Sequence, residues 1–282
     1  MRMPIALLAL AASLLFTPMA AALSEFGIEG MGRVSSRANE QRAAVSPDGQ
    51  RIVFASDRSG TADGWTLWQA RLEDGRWGQP QPLALDIGGQ ALDPAFSPDG
   101  RWLYFAAPGR SRRDGLDLYR APVLGDGYGP AQALPAPLNS RGEERSPALD
   151  MHGRLLFVRD GQAWVAAATG DGFADPAPLA LDDNHTLLDA AWLEGGRAVV
   201  LAIGVEGRSQ LWLARCVDGR YRGREPLALS FNTADGHSRG AQPDASKPGE
   251  LLLSGSAAAP RAGGLDIYRM KAPAPGGDDS CR

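Results

Sequence analysis

The sequence predicts an all-β protein, a five-bladed β-propeller of four-stranded antiparallel blades. Three observations carry that expectation. A turn tetrapeptide recurs along the chain, and an apolar–aromatic landmark follows each copy. The last copy stops one strand short, while the chain begins with a strand to spare. Self-similarity with a period of roughly fifty residues is the mark of a radial or stacked repeat architecture.

The turns come first. Ser46-Pro47-Asp48-Gly49 and Ser97-Pro98-Asp99-Gly100 are identical, with glycines 51 residues apart. The frame continues in weaker form at Gly153 (after Pro147-Ala148-Leu149-Asp150), at Gly196 (after Ala191-Trp192) and at Gly249 (after Pro243). Proline fits the second position of such a turn and Asp-Gly closes it. After each glycine comes a second landmark: Thr66-Leu67-Trp68, Asp117-Leu118-Tyr119, Gln162-Ala163-Trp164, Gln210-Leu211-Trp212 and Asp266-Ile267-Tyr268. A third is a glycine turn leading to Trp77, Tyr128, Phe173 and Tyr221, with Leu83, Leu134, Leu179 and Leu227 following.

Each unit thus reads as four short strands. The first ends at the turn, and the second is plain in Arg51-Ile52-Val53-Phe54-Ala55 and Arg101-Trp102-Leu103-Tyr104-Phe105. The third carries the aromatic landmark and the fourth the leucine. Branched and aromatic runs bounded by turn residues are strand signals. In the third unit Arg159-Asp160-Gly161 replaces the longer second-to-third loops of units one and two, which shortens that repeat without losing a strand.

The fifth unit ends after its third strand, near Met270. At the other end of the chain Phe26-Gly27 matches Trp77-Gly78 and Tyr128-Gly129, so the segment 26–34 is expected to supply the missing outer strand and close the ring. Closure of this kind leaves only short, protected strand edges. The expected organisation is a leader over 1–22, the propeller over 23–271 and a C-terminal tail over 272–282. Arg2, the apolar run Ile5 to Phe16 and the small residues Ala20, Ala21 and Ala22 give the leader the pattern of a signal peptide. That run is too short to span a bilayer, which needs about twenty apolar residues. The protein is therefore expected in the periplasm or outside the cell, with no transmembrane segment once the leader is removed.

Glycine and proline, 35 and 21 residues, recur as punctuation along the whole chain, which favours one large β domain over two domains joined by a linker. A formal charge of −4 speaks against a nucleic-acid surface, which is normally basic. Cys216 and Cys281 are the two cysteines. Under oxidising conditions they could pair and pin the tail to the fourth repeat, or stay free; spacing alone leaves both open.

The Ser-Pro-Asp-Gly turn, the Phe-containing strand after it, Ser56-Asp57-Arg58-Ser59-Gly60 and Asp117-Leu118-Tyr119 resemble the TolB-type, WD-repeat-like propeller repeat. The resemblance covers essentially the whole chain after the leader and is best in units one and two. It implies an extracytoplasmic propeller that serves mostly as a protein-interaction platform. TolB carries an α/β domain ahead of its propeller, and no such domain is expected within these residues, so the resemblance extends to the repeat class alone.

Antiparallel strands place the Ser-Pro-Asp-Gly turns on one face of the disc. The second-to-third loops and the connections between blades lie on the other, the more variable face and the better candidate surface. Arginine recurs in those loops: Arg58, Arg110 with Arg112 and Arg113, Arg159, Arg208 and Arg261. The connections add Glu40, Asp86, Asn139, Glu143, Glu144, Asp182, Asp183, His185, Asp235 and His237. Arg58, Arg110, Arg159, Arg208 and Arg261 with Asn139, Glu144, His185 and His237 form the candidate binding rim, since guanidinium groups grip carboxylates bidentately. The competing expectation is that each arginine pairs with an acid of a neighbouring blade and stitches the ring.

No catalytic residue, metal ligand or cofactor is assigned. Two histidines in unaligned loops make a weak metal signal, and no Gly-x-Ser-x-Gly elbow occurs. The innermost strands read as small and apolar, with Asp150 and Asp244 as their only acids. The expected function is binding of a protein or cell-envelope component by a monomer. The alternative is a carbohydrate-active hydrolase or lyase with carboxylates lining the channel, as glycosidases require.

Overall fold

The computed structural model describes residues 27–60, 64–87, 89–109, 115–170, 172–182, 185–274 and 276–282. The segment 1–26, with the expected leader and Phe26, lies outside the described residues, as do Arg110, Arg112, Arg113 and Asp183.

Five antiparallel sheets form five blades, each beginning with an innermost strand: Glu40–Val45, Leu92–Phe96, Glu144–Leu149, Leu187–Leu193 and Ser238–Pro243. The second strands, Arg51–Ser56, Trp102–Pro108, Leu155–Arg159, Ala198–Val205 and Glu250–Gly255, follow in order. These middle strands read as continuous apolar runs because both of their faces are covered, as in any sheet packed on two sides. Ile52 and Phe54 face blade five, whereas Val53 and Ala55 face blade two. Leu155 and Phe157 pack toward blade two, and Leu156 and Val158 toward blade four. The core is accordingly five separate wedges, one between each pair of neighbouring blades.

The turns follow the residue chemistry. Gly49 N–H donates to Ser46 O, and Asp48 accepts from Gln50 N–H and the Ser46 hydroxyl. The arrangement repeats at 97–102, and Gly49 and Gly100 sit at φ 71° and 70°, where glycine is strain-free. In blades three and five an aspartate replaces the serine. Asp150 accepts from His152 N–H and Arg154 N–H, and Asp244 from Ser246 N–H. Arg159 and Gln162 are joined by Asp160 and Gly161, both at positive φ, the backbone of a tight two-residue hairpin.

The ring closes through the N-terminal segment. Ile28–Gly30 pairs antiparallel with Asp266–Lys271, Ile28 opposite Met270 and Gly30 opposite Tyr268, so blade five takes its outer strand from the start of the chain. Met31 and Val34 then enter the wedge between blades five and one. Glu29 lies across from Arg269, which also binds Asp244 at 2.6 Å. Burial alone would raise the Glu29 carboxyl, but Arg269 and Lys247 hold it below the usual glutamate range.

At the other end Cys216 and Cys281 form a disulfide. The tail is further held by Asp278 N–H to Cys216 O (2.9 Å), by the Arg197–Asp279 ion pair (2.8 Å) and by Arg154 donating to Cys281 O (3.0 Å).

Candidate ligand site at the mouth of the channel

The recurring arginines of the outer loops have internal partners. Arg58 binds Glu40 at 2.8 Å, donates to Val34 O, and lies over the rings of Phe54 and Trp68. Arg159 repeats this in blade three: Glu144 at 2.7 Å, the carbonyls of Pro137 and Leu138, and the rings of Phe157 and Trp164. Glu40 and Glu144 are fully buried at the start of their innermost strands, each also bound by a serine hydroxyl, Ser36 or Ser140. The acid belongs to the arginine's own blade. The neighbouring segment contributes only carbonyls, so the expected pairing with a neighbouring blade's acid is corrected for these two.

Arg208 pairs with Asp235 in an exposed position, and Arg261 bonds Gly263 O. Asn139 is committed to backbone: its amide exchanges bonds with Leu118 N–H and C=O and reaches Leu134 O. Asn232 does the same for Leu211 and Leu227 in blade four. His185 is exposed beside Asp182 and Arg222, and His237 is exposed next to its bridge with Ser209. Among the described residues no group of three potential ligands gathers around a metal position.

A second set of polar residues lines the axis of the ring, where the sequence reading placed only Asp150 and Asp244 as acids. That expectation is corrected. Asp150 and Asp244 cap turns, while Asp93 and Asp189 lie inside the innermost strands, both about 1 % exposed. Every innermost strand breaks register with its neighbour near its third residue: after Gln41, Leu92, Arg145, Leu187 and Arg239. Such bulges turn one residue out of the ladder. The residues so displayed include Arg42, Asp93, Ser146 and Gly240, with φ between 42° and 67°; in blade four Leu188 is the residue displaced, and Asp189 follows it in the ladder opposite Ala202.

These bulges link blade to blade. Asp93 accepts from Ser146 N–H (3.1 Å), Ser146 Oγ from Ala190 N–H (3.3 Å), and both Asp189 oxygens from Gly240 N–H (3.1 Å). Arg42 N–H donates to Ser254 Oγ of blade five at 2.9 Å. The Arg42 side chain crosses the axis, and its Nη2 donates to Pro147 O of blade three (2.9 Å) and Ala190 O of blade four (3.4 Å). Gln242 of blade five reaches across as well, its Nε2 donating to Pro94 O of blade two at 2.7 Å.

Around this plug stand Arg145 and Arg239, each about one-sixth exposed toward the loop face, where their strands begin. Burial would raise the Asp93 carboxyl, yet Arg145, Arg42 and Arg239, with Ser146 N–H, hold it below the ordinary aspartate range. Burial lowers the Arg42 pKa, against the pull of Asp189 and Asp93 and with the repulsion of Arg239 and Arg145. All five groups therefore share one field.

Comparison with known proteins adds the fold. No protein-family model and no curated protein sequence matches the chain. Among solved structures, a TolB candidate from Agrobacterium tumefaciens superposes with a TM-score of 0.50 at 14% identity, covering 88% of this chain and 97% of that one. A gluconolactonase from Xanthomonas campestris does so with 0.50 at 13% identity, covering 87% and 89%. TolB from Acinetobacter baumannii gives 0.49 at 15% identity over 83% of this chain, which spans 55% of that protein's length. The chain is a five-bladed propeller, and its fold is that of the TolB-like β-propeller proteins.

Proposed function

We propose that the protein is an extracytoplasmic binding platform that docks a protein or envelope component on the loop face, around the channel mouth. The observation that carries this reading is the Arg42 plug. Its bonds to Pro147 O and Ala190 O fill the axis, so a ligand meets a closed floor rather than a passage. The hydrolase reading needs carboxylates free to exchange protons with a substrate. Asp93 and Asp189 are buried, and Asp93 Oδ2 and both Asp189 oxygens accept from backbone N–H groups of the next blade. The disulfide supports an oxidising compartment.

Photo-cross-linking tests the proposal. Probes at the exposed positions His185, His237 and Arg261 report on the loop face, and probes at Asp126 and Met151 on the opposite face. Cross-linked partners from the loop face in intact cells support it. Partners from the opposite face alone would overturn it. So would hydrolysis of sugar lactones by the purified protein that Asp93→Asn abolishes.

A further inference from the structure

Arginines elsewhere in this protein hold their acids closely: 2.8 Å for Arg58 and Glu40, 2.7 Å for Arg159 and Glu144, 2.6 Å for Arg269 and Asp244. At the channel mouth the distances are different in kind. Arg145 Nε stands 3.5 Å from Asp93, Arg239 Nε 3.5 Å from Asp189, and Arg42 Nη1 3.9 Å from Asp189. None of these is a hydrogen bond.

The cause lies in the bulges. Asp93 Oδ2 accepts from Ser146 N–H and both Asp189 oxygens from Gly240 N–H, and the two carboxylates compensate the guanidinium charge from 3.5 to 3.9 Å without hydrogen-bonding the guanidinium donors. Arg42 Nε and Nη1, Arg145 Nε and Arg239 Nη2 are buried atoms with no hydrogen-bond partner among the described residues, and Arg42 as a whole is 1 % exposed. Leaving such donors unmet costs about 1–3 kcal/mol each, so the site favours an acceptor from outside.

Charge selects which acceptor. Three guanidinium groups face two carboxylates, leaving an excess of one positive charge. Glu143 approaches Arg145 from solvent at 3.8 Å and is 44 % exposed, so water screens it. A monoanion balances that excess, whereas a dianion would be repelled by Asp93 and Asp189. A planar carboxylate also matches the guanidinium fork.

We propose that the channel mouth is a carboxylate-binding site in which Arg145 and Arg239, above the Arg42 plug, clasp one carboxylate of the docked ligand. This rests on the platform reading and names the chemistry it recognises. A free small acid and the C-terminus of a peptide would present the same group.

The test follows the arginine Nε–H resonances of the purified, disulfide-intact protein. The titrants are sodium acetate, acetylated trialanine with a free C-terminus, its C-terminal amide, and inorganic phosphate, against chloride at constant ionic strength. Saturable shifts at Arg145 and Arg239 with acetate and the free-acid peptide, but not with the amide or chloride, are expected. A peptide binding more tightly than acetate marks a chain terminus as the ligand; equal affinity marks a small acid.

Arg145→Gln and Arg239→Gln should abolish saturation. Arg145→Lys and Arg239→Lys keep the counter-charge of Asp93 and Asp189 and so preserve the fold, and should weaken binding about tenfold. Shifts equal to those of chloride, tighter binding of phosphate, or undiminished binding in folded lysine variants would overturn the site. Loop-face cross-links that persist after such a result leave the platform standing and remove only the carboxylate.

Discussion

Arg42 and Gly240 are a matched pair on adjacent blades. A Cβ on Gly240 would lie 2.9 Å from both Cα and N of Arg42, and its backbone is at φ 67°. Gly240→Ala should therefore destabilise the protein by about 1–3 kcal/mol in urea unfolding, through strain and the forced separation of blades one and five. Arg42→Ala removes a buried cation whose donors bind carbonyls of two other blades, and should cost about 3 kcal/mol or more. Because the two residues touch, the double variant should lose less than the sum. These positions were hard to see in the sequence. Arg42, Asp93, Ser146, Asp189 and Gly240 share a place in or directly after a bulge, not a chemistry, and side-chain type carries no sign of it. The one available signal was register: Arg42, Asp93, Ser146 and Asp189 each stand seven residues before the turn glycine of their blade. The outer-loop arginines were conspicuous by contrast, and two of them, Arg58 and Arg159, form the glutamate–arginine–aromatic fixture of blades one and three.

At the scale of elements, the turns and the closing strand were legible because their chemistry is local. Pro-Asp-Gly is demanded by turn geometry, and an unpaired strand at one end of a ring implies a vacancy at the other. Removing residues 27–34 deletes the partner of Asp266–Lys271 and uncovers the wedge containing Ile52 and Leu252. Backbone amides of that strand should lose most of their hydrogen-exchange protection, while those of blade three keep theirs; equal protection in both would contradict closure. The C-terminal tail offers a second test. The disulfide links residues 65 apart in sequence, and opening such a loop should lower stability by about 2–4 kcal/mol. Cys281→Ser should reproduce in urea unfolding what reductant does to the wild-type protein, and adding reductant to the variant should do nothing further. Spacing could not decide this bond, because the approach of the tail to blade four depends on backbone contacts such as Asp278 N–H to Cys216 O.

Across the whole molecule the paired and hydrogen-bonded carboxylates make stability depend on acidity. Asp93, Glu29 and Asp48 all have carboxyls below their ordinary range, and Asp99 is lowered to about 2. For Asp93, Glu29 and Asp99 burial is outweighed by guanidinium charge and by hydrogen bonds to the carboxylate form, and for Asp48 the Ser46 hydroxyl and Gln50 N–H lead. The unfolded chain, with ordinary values near 4, binds these protons first as pH falls. Between about pH 4 and pH 2 the unfolded state therefore carries more protons than the folded one, and stability must drop with pH across that window. Above it the contribution is complete. Asp93 matters most to the ring because its protonation would release Ser146 N–H and leave Arg145, Arg239 and Arg42 facing one another with Asp189 alone between them. Urea midpoints measured at pH 7, 5, 4 and 3 should be nearly level down to pH 5 and fall steeply below 4. Asp93→Asn should be less stable at pH 7 and show a shallower fall, since the group that titrates has been removed. An unchanged acid limb in that variant would mean that the turn and closure carboxylates, not the channel, govern the response.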